Sequence, residues 1–154
     1  MYHETFYINN NMTPRLEELI GEICTFEEFE AKYSDEFLKE DARIGNYLDH
    51  LLWQYGKEAA TISKLAGLDR SYVGNLVNGK KNNPGRDALI GICLAIGTTV
   101  EEAQYLLKYA GHAPLYVRRK RDVIIWFGLM KKKSIFDVDI DLESHGYNTF
   151  HKAE

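Results

Sequence analysis

The chain has little of what marks secreted or membrane proteins. Cys24 and Cys93 are its only cysteines in 154 residues, too few and too far apart for a disulfide framework. No apolar run approaches the roughly 18 residues that cross a bilayer. The first residues lack the basic-then-apolar order of a secretion signal. We therefore expect a cytoplasmic protein with no membrane partner.

Patterns for catalysis and metal binding are also missing. The five histidines and two cysteines show no metal-ligand spacing, and no phosphate loop, nucleophile elbow or zinc-protease helix occurs. Asp137, Asp139 and Asp141 alternate as in a calcium loop, but the glycine and closing glutamate of such a loop are not in place. The sequence predicts no enzyme activity, no metal site and no cofactor.

The net charge of −4 is unevenly distributed. Residues 1–43 carry four basic and eleven acidic side chains, a net charge of −7, whereas residues 44–113 and 114–154 carry +1 and +2. The window from Arg70 to Arg86, both included, holds four basic residues and no acidic one. A binding face needs only a local positive field, so the overall negative charge does not exclude a nucleic-acid partner.

Helical periodicity and helix-capping residues are the main structural signals in the sequence. Only three prolines occur, each between helical patterns, and no internal repeat is evident. Apolar spacing at three and four residues, with Trp53 and Trp126 counted as core, predicts helices over residues 13–23, 25–33, 44–55, 58–66, 69–78, 86–96, 98–110 and 115–130. Residues 134–144 fit a strand or a helix, and helix is preferred because no partner strand is evident. The sequence predicts an all-α fold with an acidic segment at 1–43, a core at 44–113 and a helical extension at 114–154.

A short helix, a turn at Gly67 and a second short helix over residues 57–78 have the geometry of a helix-turn-helix. On the second helix, Val73, Leu76 and Val77 fall on one face and predict the core side. Arg70, Ser71 and Asn75 fall opposite, and arginine and asparagine pair bidentately with guanine and adenine. Gly74 lies on the same outer face, where the absence of a side chain would permit close approach to a groove wall.

Three stretches, IGNYLDHLLWQYG, SKLAGLDRSYVGNLVNGKKNNP and LIGICLAIGTTVEEAQYLL, resemble the bacterial lambda-repressor-like (Xre/Cro-type) helix-turn-helix family. The resemblance implies a five-helix DNA-binding core from residue 44 to about residue 107, with extra N-terminal and C-terminal helices. It also implies that Arg70, Ser71 and Asn75 read bases. The residues that it implies for contacts with the DNA backbone are Asn78, Lys80, Lys81 and Asn82.

The chain departs from that family at several positions. Ala59 stands where the family usually has a glutamine that contacts the DNA backbone, and Val77 replaces a common glutamate. Asn83 lengthens the loop before Pro84. Leu65 stands where a polar residue is frequent, so we expect an additional element to pack there.

Function is therefore expected to be sequence-specific binding of double-stranded DNA by a transcriptional regulator, with a homodimer as one expectation. The alternative is a protein-interaction module on the same fold, like an antitoxin or adaptor, with a protein partner on the acidic segment 1–43. Three environments stay open for the basic run Arg118–Arg121: DNA, acidic residues of this protein or of a partner, and solvent. The segment 1–43 is expected to pack near this run or over the DNA face.

Overall fold

The computed structural model describes residues 12–22, 25–37 and 44–152, and expectations for residues 1–11 and for Cys24 lie outside this part. The described residues form nine α-helices and one 3-10 turn, with no strand, so the chain is all-helical there. The helices are α1 Met12–Glu22, α2 Phe26–Tyr33, α3 Ile44–Tyr55, α4 Ala59–Leu65, α5 Tyr72–Val77, α6 Arg86–Ile96, α7 Val100–Tyr109, α8 Lys120–Met130 and α9 Ile135–Ser144. The 3-10 turn covers Ser34–Glu36.

The acidic segment that contains α1 and α2 is held by local contacts. The hydroxyl of Thr25 accepts a hydrogen bond from the Glu28 amide at 3.2 Å, as the cap in the sequence predicts. The ring of Phe29 packs against those of Tyr33 and Phe37, with centroids 5.0 and 5.9 Å away. Within the described residues, no hydrogen bond or ion pair joins 12–37 to 44–152. Packing of this segment against Arg118–Arg121 therefore stays a prediction.

Helix α3 lies at the centre of the core. Its predicted stripe is confirmed, because Tyr47, Leu48 and Leu51 are among its buried residues. The expectation that Trp53 belongs to the core is wrong, since 62% of it is exposed. Trp53 falls on the outer face of α3, where its ring lies beside that of His50.

Helices α5, α6 and α7 pack on α3, and α4 packs on α5 and α6. Ile62 of α4, Val73 of α5 and Leu89 of α6 are buried in this core. Gly45 lets α3 and α5 approach closely. A Cβ atom at Gly45 would lie 1.9 Å from the backbone oxygen of Leu76, far inside van der Waals contact. The position of α5 therefore depends on the absence of a side chain at Gly45.

The structure corrects the expectation of no internal repeat. Residues 86–116, with α6 and α7, and residues 121–151, with α8 and α9, are two copies of one helical hairpin offset by 35 residues. Only six of the 31 paired positions are identical, but the local geometry recurs. The first unit has left-handed residues at Gly97 (φ 86°) and Gly111 (φ 80°). The second has them at Lys132 (φ 56°) and Gly146 (φ 79°).

The hydrogen bonds of the two units also correspond. Thr99 and Ser134 cap the second helix of each unit, each accepting an amide hydrogen bond at 3.1 Å. About one helical turn after each cap, a polar side chain accepts a hydrogen bond from the segment that follows the second helix. The Leu115 amide donates to Gln104 and the Phe150 amide donates to Asp139, both at 2.7 Å. These equivalent caps also explain why residues 134–144 form a helix, as the sequence analysis preferred.

The C-terminal unit meets the core at the position where the sequence suggested an additional element. The Nε2 atom of His151 donates to the carbonyl oxygen of Leu65 at 2.8 Å. The Nδ1 atom lies 2.6 Å from a carboxylate oxygen of Asp139. The ring of Phe136 stacks on the imidazole of His151 at 4.8 Å. His151 thus fixes the segment after α9 to the C-terminus of α4.

Candidate nucleic-acid interface

The α4 and α5 helices are joined by a turn and held together by one buried side chain. The hydroxyl of Ser63, fully buried in α4, donates to the Ala59 carbonyl and accepts from the Val73 amide, both at 2.9 Å. The Val73 amide lies in the first turn of α5, where backbone N–H groups have no partner within the helix. Ser63 therefore satisfies that donor and fixes α5 against α4, a role that sequence analysis missed.

Helix α5 has the two faces that the sequence predicts. Val73 and Leu76 are buried, whereas Asn78 is exposed and Gly74 and Asn75 are partly exposed. No protein atom lies within 4 Å of a Cβ built at Gly74. Packing within the fold thus gives no reason for a glycine there, and the space beside it is open to an external surface.

The start of α5 differs from the prediction. The sequence pattern places Arg70 and Ser71 on the helix, but α5 begins at Tyr72 and both residues lie in the preceding turn. The carboxylate of Asp69 explains the difference, because it accepts hydrogen bonds from the hydroxyl of Ser71 at 2.6 Å and from its amide at 3.4 Å. This side-chain turn competes with a helical first turn.

Asp69, Ser71 and Asn75 form a hydrogen-bonded chain on the exposed surface. The Asn75 amide nitrogen donates to the Ser71 hydroxyl at 3.4 Å, and that hydroxyl donates to Asp69. The hydrogen bonds from Ser71 lower the pKa of Asp69, so its carboxylate is ionised at neutral pH. Two of the three expected base-reading residues are therefore oriented by a carboxylate, while the Arg70 side chain is exposed.

A shallow depression of about 470 Å³ connects these residues with α4. It is lined by Ala59, Ala60, Asp69, Arg70, Ser71, Gly74, Asn75 and Asn78. Ala59 contributes no polar group, as expected from the missing glutamine.

The loop after α5 presents exposed cations. Lys80, Lys81 and Asn82 are all exposed, and the Lys81 ammonium lies 4.8 Å from the centre of the Tyr72 ring. The Asn78 side chain is exposed, and its oxygen accepts from the Lys80 amide at 3.0 Å. The expected backbone-contact residues are thus on one loop beside the α5 face.

Two contacts anchor this loop to the chain that follows α7. The Nε2 atom of His112 donates to the Pro84 carbonyl at 2.8 Å. Arg86 donates to the carbonyl oxygens of Ala113 and Pro114 and forms an ion pair with Asp122 at 3.0 Å. Arg86 is therefore a structural residue at the start of α6.

No group of three or more histidine, cysteine, aspartate or glutamate residues in the described ranges could hold a metal ion. In the same ranges, no helix has both the length and the apolar character to cross a membrane. No family model, curated protein or solved structure gives a significant match to the chain.

Proposed function

We propose that the protein is a sequence-specific, double-stranded-DNA-binding transcriptional regulator of the Xre/Cro type, acting in the cytoplasm. The observation that carries the proposal is the outer face of α5, fixed by Ser63 and flanked by the exposed cations Lys80 and Lys81. A short helix that packs by one face on a rigid partner helix and exposes amide side chains on the other fits the major groove.

In this proposal α5 lies in the major groove with Gly74 against the groove wall. The Asn75 amide pairs with an adenine edge, and Arg70 reaches a guanine from the turn. Ser71 holds Asn75 in position through the bond to its amide nitrogen. The carboxylate of Asp69 repels phosphate. It therefore limits α5 to those positions along the groove where this carboxylate avoids the DNA backbone or accepts a hydrogen bond from a cytosine amino group.

Affinity comes mainly from phosphate contacts, which carry no sequence information. Lys80, Lys81 and the exposed side chains of Asn78 and Asn82 supply them. The anchor at His112 and Pro84 holds this loop in place, so the cations need little ordering on binding.

A protein-interaction module on the same fold is the second candidate. It is favoured by the carboxylate of Asp69 on the face, by Ala59 in place of a polar contact, and by the acidic helices α1 and α2. Ile20 and Phe26 on those helices are about 60% exposed, as on surfaces that bind apolar partners.

Salt dependence separates the two candidates. We would measure binding of the full chain to a fluorescent random-sequence duplex between about 50 and 300 mM NaCl, where affinity for DNA should fall steeply. Replacing Lys80 and Lys81 by glutamine should reduce the log–log slope by about one unit per contact. The same change at Lys108 and Lys131, which are exposed on other helices or turns, should not. The absence of salt-dependent binding by the unsubstituted chain would overturn the DNA proposal and favour a protein partner.

A further inference from the structure

Cations without acidic partners cluster at the start of α8. Arg118, Arg119 and Lys120 are exposed, and none of them makes an ion pair with any residue in 12–22, 25–37 or 44–152. Arg121 beside them is already bound to Asp87. Positive charges at a helix N-terminus oppose the helix dipole, so these three residues do not stabilise the fold where they stand. An external anion would relieve this repulsion.

The acids nearest this cluster are neutralised. Asp87 accepts two hydrogen bonds from Arg121, and Asp122 accepts two from Arg86. Asp87 and Arg86 lie in the first turn of α6, and Arg121 and Asp122 lie in the first turn of α8. The two helix starts are thus joined by a reciprocal pair of ion pairs that leaves no free acid between them.

The cluster adjoins the basic loop. Residues 79–85 lead directly into Arg86, and Arg86 holds Ala113 and Pro114 just before the cluster. An open groove of about 770 Å³ lies at this junction, with Arg86, Tyr116, Arg119 and Lys120 among its lining residues. The loop that carries Lys80 and Lys81 and the segment that leads to Arg118 are therefore connected through Arg86.

We infer that Arg118, Arg119 and Lys120 form a second contact for DNA backbone phosphate, which extends the footprint beyond the helix-turn-helix. The inference rests on the proposed function. DNA fits better than an acidic protein because three flexible, exposed cations next to a loop with two more form a run of positive charge, as a polyanion requires. The contacts contribute affinity without base preference.

The test compares the full chain with a triple variant, Arg118→Gln, Arg119→Gln and Lys120→Gln, on a random-sequence duplex of about three helical turns. We expect the log–log salt slope to fall by about two to three units and the Kd at low salt to rise about tenfold or more. We expect an unchanged or slightly raised Tm, because cations leave a helix N-terminus. The matched control removes the same charge by Lys32→Gln, Lys108→Gln and Lys131→Gln and should keep the slope.

A triple variant with unchanged slope and affinity would overturn the inference while leaving the proposed function intact. An unchanged slope with a lowered Tm would overturn it in favour of an acidic segment bound to the cluster. If the unsubstituted chain shows no salt-dependent DNA binding, the proposed function fails and this inference fails with it.

Discussion

Arg121 binds Asp87 through two hydrogen bonds, from its terminal nitrogens to the two carboxylate oxygens, at 2.8 and 2.9 Å. Beside it, Arg86 and Asp122 form the reverse ion pair between the same two helices. The arginine of each unit binds the aspartate of the other unit, as equivalent residues do across a two-fold interface. This reciprocal contact joins the start of α6 to the start of α8.

The two ion pairs differ in burial, which leads to the first prediction. The side chain of Asp122 is 5% exposed and that of Asp87 is 53% exposed. Replacing Asp122 by alanine leaves Arg86 and the Tyr116 amide without their acceptor and should cost about 3–5 kcal/mol. Replacing Asp87 should cost less than about 1 kcal/mol. Urea unfolding of both variants checks this, and equal losses would show that burial does not separate the pairs.

The second prediction concerns the α4–α5 brace. Ser63→Ala removes the acceptor for the Val73 amide in a buried position and should lower the free energy of unfolding by about 1–3 kcal/mol. Thr61→Ala on the exposed face of the same helix is the control and should change it by less than about 0.5 kcal/mol. A Ser63 variant as stable as the Thr61 variant would mean that α5 is held by apolar packing alone.

A third prediction separates folding from binding at two glycines. Gly74→Ala should stabilise the protein by up to about 1 kcal/mol through helix propensity, because nothing occupies the space of the new methyl group. In the proposed complex that methyl group meets the groove wall, so DNA affinity should fall. Thermal melts and DNA titrations measure the two effects. A Gly74 variant that binds DNA as before would contradict close approach at this site.

Gly45→Ala gives the contrasting case. Its methyl group would overlap the Leu76 carbonyl, so α3 and α5 must separate. We expect a loss of about 1–3 kcal/mol, as for overpacked cores.

Alkaline pH provides the fourth prediction. Burial raises the pKa of the Cys93 thiol from 9.0 to about 12, and it also raises the pKa values of Tyr47 and Tyr105. The folded state therefore holds these protons more tightly than the unfolded chain does. Their contribution to stability is complete below about pH 9 and is lost as pH rises from 9 toward 12, by up to about 1.4 kcal/mol per pH unit for each proton.

Urea midpoints between about pH 7 and 11 measure this loss. The variant Cys93→Ala should show a shallower decline above about pH 9 than the unsubstituted chain. Identical slopes for the two proteins would show that the thiol does not contribute.

Much of the helical layout could be predicted because caps and apolar spacing are local. Thr25 begins a helix where the sequence indicates, and Thr99 caps α7 one residue after the predicted start at Thr98. The exposed face of α5 also follows from periodicity, although Asp69 delays the start of the helix by capturing Ser71. Trp53 was misplaced because an aromatic residue next to an apolar stripe does not reveal on which side of the helix it lies.

The repeat and the ion pairs could not be predicted in the same way. The two units share few residues, and Lys132 takes the left-handed position that Gly97 holds in the first unit. Their likeness lies in hydrogen bonds such as those to Gln104 and Asp139. Likewise, only the tertiary fold shows that Arg86 is bound to Asp122 while Lys80 and Lys81 remain exposed. The recurring Arg-Asp dipeptide at 86–87 and 121–122 is the one sequence feature that could have suggested both.

The most direct test of DNA reading by the α5 face is selection of bound duplexes from a randomised library. We predict that the full chain enriches a defined sequence, that Asn75→Ala and Arg70→Ala each relax the preference at one position by about 1–3 kcal/mol, and that Lys80→Gln weakens all duplexes alike. Enrichment of no sequence, or of the same sequence with the same preference by the Asn75 and Arg70 variants, would contradict this account.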